Sequence, residues 1–415
     1  MAGVNRLYPD SVAPLPQSPA GYRPVYLSHY GRHGSRYLTD GSQYTSVYEV
    51  LVSAHDAGVL TPLGEDVLGR YVAVYPLIHG REGELTMVGA QQHTEIARRM
   101  VERYPELFRG RARVEANSTN LQRTMLSMQY FTQELRSLRP SLDLHADASR
   151  VYMGCINQHS PENPKVTPED VRWKSPDAPW RPAFWEYFRS VIDWEPFCRR
   201  LFSDYDWLCG RIDPFEFGRN FYAVALNIPS CPVECSGFFD LFTSEELALL
   251  GQMDNYAFYV EKGRYPGGNL RGCFLSEAVL TDLIGRVEPD LAGGVKVRLR
   301  FGHDGCIMAL FAMLRFPGWD AQIADPTRAW EVWDVSRIPM AANFQLVFYA
   351  LRGWRGGGTD AAGGSVEDDL IFTFLLNEEP LALPLPDLGG HFYRWTDFLT
   401  WCAPILTEAR AALGD

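Results

Sequence analysis

The 415-residue chain has no apolar run approaching the roughly 20 residues that a bilayer-spanning helix needs, so no membrane-crossing helix is expected. Its start, Met1-Ala2-Gly3-Val4-Asn5-Arg6, lacks the apolar stretch of a secretory signal. That leaves two expectations: a cytosolic protein, or a mature chain from which a signal has been removed. Positive charge is in deficit, with 39 Lys and Arg against 51 Asp and Glu and a net charge of −12. A nucleic-acid partner is therefore not expected, because its recognition rests on a basic face. An anionic ligand must instead be drawn by a local cluster of cations within an acidic body. Lysine is scarce, the only four being Lys165, Lys174, Lys262 and Lys296. The eight cysteines are dispersed. Cys231 and Cys235 are close enough to pair, as are Cys198 and Cys209, but no second Cys/His pair completes a zinc site, and free thiols are the simpler reading. No internal repeat occurs.

What is present is ample core material: a hydrophobic fraction of 46%, with 11 Trp, 20 Tyr and 23 Phe. Residues 1–20, rich in Pro and Ser, form an extended lead-in. A strand is expected over 24–30, followed by helices over 42–57 and from Leu63 to Ile78, the latter entered through the N-cap and N1 pair Thr61-Pro62. Thr86 opens a third helix, Arg113 to Asn117 reads as a strand, and Leu121 to Leu138 as a long amphipathic helix. From about 150 the pattern becomes helical, over 181–203, 214–226 and 243–262. From about 272 strands return. Leu275 to Val287 is helical, Lys296 to Phe301 alternates like a strand, and an apolar helix follows from Ile307 to Leu314. Further strands are expected over Asn343 to Leu351 and Asp369 to Asn377, around a mobile Gly-rich connection from Gly353 to Gly364. A helix closes the chain within Tyr393 to Leu413. The fold class is thus α/β: a mixed, mostly parallel sheet with helices on both faces, plus a mainly helical cap insertion.

The densest chemistry lies at the end of the first strand, in Tyr30-Gly31-Arg32-His33-Gly34-Ser35-Arg36. Two guanidiniums cannot be buried cheaply without anions to meet them. Arg32 and Arg36, on either side of a glycine turn, suit a phosphate held against the His33 imidazole, a competent covalent nucleophile when one ring nitrogen is free. Two plainer readings compete. His29 and His33 at i, i+4 would form a metal pair only on a helix, which the strand and Gly31 and Gly34 oppose. The turn would otherwise be an exposed basic loop without function.

Arg32-His33-Gly34-Ser35-Arg36 resembles the RHGxR signature of histidine phosphatases, in the branch that contains acid phosphatases and phytases. Glu84-Leu85-Thr86-Met87-Val88-Gly89 resembles that family's ELTxxG segment, continuing to Arg103-Tyr104. Ser118-Thr119 with Arg123-Thr124 resembles its ST…RT segment, and Gly302-His303-Asp304 its C-terminal HD motif. The resemblance implies an α/β core over 1–149 and 271–415, with a helical cap over 150–270. It implies His33 as the nucleophile that becomes phosphohistidine, Asp304 as the acid that protonates the leaving oxygen, and Arg32, Arg36, Arg123 and His303 as phosphate ligands. No metal and no cofactor is implied.

Length, the helical insertion and Phe242-Thr243-Ser244-Glu245-Glu246 resemble multiple inositol polyphosphate phosphatases and phytases. The former typically carry His-Ala-Glu where this chain has His303-Asp304-Gly305, so the implied proton donor is the aspartate next to the histidine, as in acid phosphatases and many phytases. The resemblance implies a small-molecule phosphomonoester substrate, inositol polyphosphates first and sugar phosphates or nucleotides second, with a phosphomutase as a further alternative. His29, Arg150, Lys165, Lys174 and Lys262 are the basic residues available to further phosphates. The family implies a periplasmic or secreted location; the oligomeric state is left open.

Overall fold

β1 (Tyr22–Arg32) lies at the centre of the fold and is buried from Val25 to its end. In the computed structural model, the described residues are 3–15, 17–234, 237–268, 270–354 and 370–414. β2 (Arg113–Ser118), β3 (Asp143–Ala148), β4 (Val295–Gly302), β5 (Asn343–Leu351), β6 (Ile371–Leu376), β7 (Glu379–Pro380) and β8 (Tyr393–Arg394) complete the sheet among these residues. The order is β3-β2-β4-β1-β5-β6-β7, with β8 also on β6. Pairing is parallel from β3 across to β1 and antiparallel from β5 outward. The sheet is therefore mixed, with a parallel core.

Helices cover both faces, and alternate residues of each strand serve one face or the other. Leu27, Val297, Leu299 and Phe301 pack with Ile96, Met100, Phe131 and Leu135 of the Met87–Arg103 and Gln122–Leu138 helices. Tyr26, Tyr30, Phe344, Phe348, Phe372 and Phe374 point the other way, into a larger apolar cluster that includes the Asp304–Met313 helix and the closing Trp395–Leu413 helix. Between β3 and β4 the described regular elements are helical, among them Arg181–Val191, Glu195–Leu201, Pro214–Asn227 and Ser244–Lys262. Thr243 and Glu246 close a capping box at the start of the last of these. No described helix is long and apolar enough to cross a membrane.

Register fixes where chemistry can occur. Leu27 faces Val297 and Arg32 faces Gly302, so β1 and β4 end level with each other. Ser118 at the end of β2 faces Phe301. The 33–36, 119–123 and 303–304 segments consequently emerge side by side at the carboxyl edge of the parallel strands, where sheets of this kind bind ligands.

The first four helices are α1 (Ser42–Asp56), α2 (Pro62–Ile78), α3 (Met87–Arg103) and α4 (Gln122–Leu138). Thr61 and Thr86 cap α2 and α3, accepting from the N–H groups of Gly64 and Gly89. Three elements differ from expectation. β3 was not anticipated, because Asp143-Leu144-His145-Ala146-Asp147-Ala148 is a polar edge strand in which only Leu144 is buried. The helix expected over 181–203 is two, because Pro196 near the start of the second lacks the N–H that a continuous helix needs. The apolar helix expected from Ile307 begins at Asp304, which brings the acidic residue onto its first turn. Residues 355–364 of the expected Gly-rich connection, and Asp369, lie outside the described residues. So does Cys235; the thiols of Cys155, Cys198, Cys209, Cys231, Cys273, Cys306 and Cys402 are free.

The β6–β7 turn is tied to α3 and to the N-terminal segment by Glu378, which is 1% exposed and sits at φ 67°. Its carboxylate meets the Arg99 guanidinium at 2.7 Å and accepts from the Tyr8 hydroxyl at 2.9 Å. Removing one partner of such a pair leaves an uncompensated charge. Glu378→Ala should lower stability by roughly 3 kcal/mol, read as a lower urea midpoint with unchanged slope.

Candidate active site

The segment 32–36 is held by its own backbone. The N–H groups of Arg32 and His33 donate to the carbonyls of Ala342 (2.7 Å) and Gly302 (3.0 Å), and the Ala341 N–H donates to the His33 carbonyl at 3.0 Å. Gly34 N–H donates to Ser127 Oγ (3.1 Å) and Ser35 N–H to Gln92 Oε1 (2.9 Å). The Ser35 carbonyl accepts from both the N–H (2.9 Å) and the hydroxyl (3.1 Å) of Thr86. The two motif glycines explain one another. A Cβ on Gly34 would fall 2.5 Å from the Gly89 carbonyl oxygen, and one on Gly89 would fall 2.3 Å from that of Ser35. The start of α3 thus docks backbone to backbone on the histidine loop, which is what the ELTxxG spacing encodes.

His33 is 3% exposed, and its Nδ1 lies 2.9 Å from the Gly34 carbonyl. A carbonyl only accepts, so Nδ1 carries the proton and Nε2 keeps its lone pair. Burial first, and then the charges of Arg32, Arg123, Arg36 and the neighbouring His303, hold the ring well below the usual imidazole range. Both influences favour the neutral ring. The His303 ring stands edge-on, with centroids 5.6 Å apart, and burial pushes its pKa down to about 3.

Three guanidiniums converge electrostatically on this imidazole. Arg32 is fully buried: Nη1 donates to the carbonyls of Val4 (2.6 Å) and Ile338 (3.0 Å), and Nη2 pairs with Asp304 Oδ2 at 2.7 Å. Arg36 Nη1 donates to the Tyr37 carbonyl at 2.8 Å, and Arg123 comes from the first turn of α4. The Nε groups of Arg32, Arg36 and Arg123 are buried and have no hydrogen-bond partner among the described residues. Burial and mutual repulsion bring the pKa of Arg123 down to about 10, and that of Arg32 to about 10 as well despite Asp304. Such a cluster is suited to an oxyanion that accepts from several forks at once.

Asp304 is the carboxylate set among these cations. Burial works to raise its pKa, but Arg32, the Gly305 N–H at 2.7 Å, His303 and Arg36 outweigh burial and hold it below the ordinary value. Asp304 is the first helical residue rather than the N-cap, a position His303 occupies. The glycine before them has a reason. The Tyr30 hydroxyl, donating to the Ile156 carbonyl at 2.6 Å, lies 2.2 Å from where a Cβ of Gly302 would be.

All six sequence-predicted residues therefore belong to one cluster. Two of the other basic candidates lie elsewhere. His29 packs behind the sheet against Phe131 and Phe301, away from any pairing with His33, and Lys165 is paired with Glu277 at 2.9 Å. Beside Arg36 opens a cavity of about 280 Å³, also lined by Thr39, Gln43, Arg181, Arg219 and Asp254. Sequence reasoning missed these last three, which come from the helices between β3 and β4 and stand in no local motif. Asp254 Oδ2 is buried without a hydrogen-bond partner, and burial, then repulsion from Asp304, raise its pKa to about 6. The N-terminal turn Gly3–Asn5 was missed too; it brings the Val4 carbonyl to Arg32 and leaves no room for a side chain at position 3 beside Asp254.

An imidazole ringed by three guanidiniums, with one carboxylate at hand and a two-sided α/β sheet beneath, is an arrangement suited to phosphoryl transfer. Residues 31–159 match the family model of the histidine phosphatase superfamily (branch 2). Solved structures share the fold over nearly the whole chain. The multiple inositol polyphosphate phosphatase of Bifidobacterium longum, complexed with inositol hexasulfate, superposes with a TM-score of 0.76 at 16% identity, covering 97% of each chain. The phytase from D. castellii gives 0.71 at 15% identity, covering 100% of this chain and 87% of that one. The Hafnia alvei phytase in complex with tartrate gives 0.53 at 13%, covering 95% and 99%. No curated protein sequence matches the chain.

The Gly34–Gly89 contact yields a test of how the loop is held. Gly89→Ala should force the loop or the helix to move, at a cost of roughly 2 kcal/mol. A lowered melting temperature should accompany at least a tenfold loss of phosphate release. A variant with wild-type turnover would show that this contact does not position His33.

Proposed function

We propose that this protein hydrolyses phosphomonoesters through a phosphohistidine formed on His33, with inositol polyphosphates as substrates. The observation that carries this is the free Nε2 of a neutral, buried imidazole facing a cluster of three guanidiniums whose Nε groups lack protein acceptors. The domain match and the likeness of the fold to inositol polyphosphate phosphatase and phytase structures support it. A periplasmic or secreted site of action belongs to the same reading, as does the helical stretch 150–270 acting as a cap over the pocket.

In this reading the ester phosphate lies between Arg36, Arg123 and His303, with Arg32 adding its charge and its Nε from below. His33 Nε2 attacks phosphorus as the bond to the ester oxygen breaks, and Asp304 passes its proton to that oxygen, releasing the alcohol. Water then attacks phosphorus, the P–N bond breaks, Asp304 takes the proton, and inorganic phosphate leaves. The guanidiniums supply the neutralisation that phosphoryl transfer requires. Asp304 is held as an anion by Arg32 before substrate arrives. A phosphate dianion offsets those cations and raises the carboxyl pKa, so that it can carry the proton it must give. The sign follows: turnover falls as pH rises through the Asp304 pKa of the complex, whereas His33, already neutral, does not limit the acid side.

Two variants test the roles. His33→Ala should abolish turnover, at least 10³-fold in kcat. Asp304→Asn should slow an alkyl phosphate or phytate by at least 10²-fold and p-nitrophenyl phosphate far less, because p-nitrophenolate leaves without a proton. Equal losses on both esters would remove Asp304 from the role of acid, and no phosphate release from any of these esters between pH 3 and 8 would refute the enzyme reading.

A further inference from the structure

The cavity of about 280 Å³ beside Arg36 carries one acid that the proposed chemistry leaves unused. Asp254 stands in the middle of the Ser244–Lys262 helix and lines that cavity. Its Oδ2 is buried and has no hydrogen-bond partner among the described residues. The N-terminal turn Gly3–Asn5 closes over this oxygen: Gly3 lies at φ 48°, and a Cβ there would collide with the carboxylate. A role as helix cap does not account for a carboxyl placed mid-helix, and the backbone shaped around it offers it no donor.

Two carboxyls then depend on one guanidinium. The charge of Arg32 acts on both Asp304 and Asp254, but its Nη2 pairs with Asp304 at 2.7 Å and its Nη1 is committed to the Val4 and Ile338 carbonyls. The other charges on the cavity wall are Arg36, Arg181 and Arg219, of which Arg181 meets Glu261 at 3.4 Å. The Tyr222 hydroxyl is held above the usual phenol range by burial, then by Asp254, and the turn 3–5 brings no charged side chain. On two further turns packed against the same helix, Arg328 pairs with Glu331 at 2.6 Å and Arg337 donates to the Pro317 carbonyl at 3.4 Å. Where two acids lie in one buried site, the better-partnered one ionises and the other keeps its proton. Against burial, Arg32 and the Gly305 N–H hold Asp304 below the ordinary carboxyl value, whereas burial, then repulsion from Asp304, bring Asp254 up to about 6.

We propose that Asp254 and Asp304 share a single proton: Asp254 holds it before a phosphate arrives, and Asp304 holds it once a phosphate is bound. This rests on the phosphatase reading and adds Asp254 to it as a positioning residue, which fixes where the proton rests without touching the ester. A phosphate answers Arg32, Arg36 and Arg123 and sets its own charge against Asp304, so the negative charge of the pair is better placed on Asp254. Asp304 then passes the proton to the leaving oxygen and recovers one from the attacking water. Asp254 takes it back as inorganic phosphate leaves, and the cycle exchanges no net proton with solvent.

Inositol hexasulfate keeps its charge throughout the mildly acid range, so protons taken up when it binds belong to the protein. Calorimetric titrations at about pH 5, in buffers of different ionisation heat, count them. The wild-type protein should take up close to none, because the proton only changes place. Asp254→Asn, which keeps the shape of the side chain, should take up about one, because Asp304 must then draw its proton from solvent. An uptake of about one proton by the wild type, a result that needs no variant, overturns the proposal. So does an uptake of none by a folded Asp254→Asn. In turnover, Asp254→Asn should move the basic limb of kcat on myo-inositol hexakisphosphate about one unit lower in pH and leave that on p-nitrophenyl phosphate in place. A merely structural residue would move neither limb, and that outcome also counts against the pair. If the wild-type protein neither binds inositol hexasulfate nor releases phosphate from either ester, the phosphatase reading itself fails.

Discussion

The site depends on a guanidinium that never reaches solvent. Arg32 sits at the end of the central strand, fully buried, and joins three parts of the chain: the N-terminal turn through Val4, the 335–338 turn through Ile338, and the Asp304–Met313 helix through Asp304. A buried guanidinium must find acceptors, and these are drawn from segments 300 residues apart. The same contact that orders these elements therefore brings Asp304 to the end of the strand that carries His33. Because the terminal nitrogens of Arg32 are committed to protein oxygens, most of its service to a phosphate is charge and placement, while Arg36 and Arg123 have more freedom to present forks.

The neighbours inherit a consequence. Burial first, and then the surrounding cations, lower the pKa of both the His33 and the His303 imidazoles, which favours their neutral forms. In the two-step transfer proposed above, a single pH must leave the histidine bare and the aspartic acid carrying a proton once phosphate has arrived.

Much of this was legible in the sequence because it is local. RHGxR lies on five consecutive residues, the glycine of ELTxxG answers a backbone contact, and strand–turn–helix signals locate the two ends of the site. β1, β4 and β5 alternate or run apolar long enough to be recognised. What was not legible depends on the helices between β3 and β4. Arg181, Arg219 and Asp254 are ordinary polar positions on amphipathic helices, and nothing in their spacing says that they line one cavity. β3 escaped because an edge strand with one buried side chain carries no period.

Chemistry and selectivity are consequently built from different material. The groups proposed to react stand at the ends of β1 and β4 and the start of α4, where parallel pairing fixes them to within the register of the sheet. Arg181, Arg219 and Asp254, which line the adjoining cavity, stand on helices whose packing is apolar and aromatic. Gly305 lies at the seam: its lack of a side chain admits Lys262 to the turn that carries Asp304. A larger residue there, as in a histidine–alanine–glutamate arrangement, would push Lys262 away from the active-site turn. The His303-Asp304-Gly305 sequence then trades the position of the acid for space beside it. In this way one small residue next to Asp304 sets the space beside it, while leaving His33 and its guanidiniums where the sheet puts them.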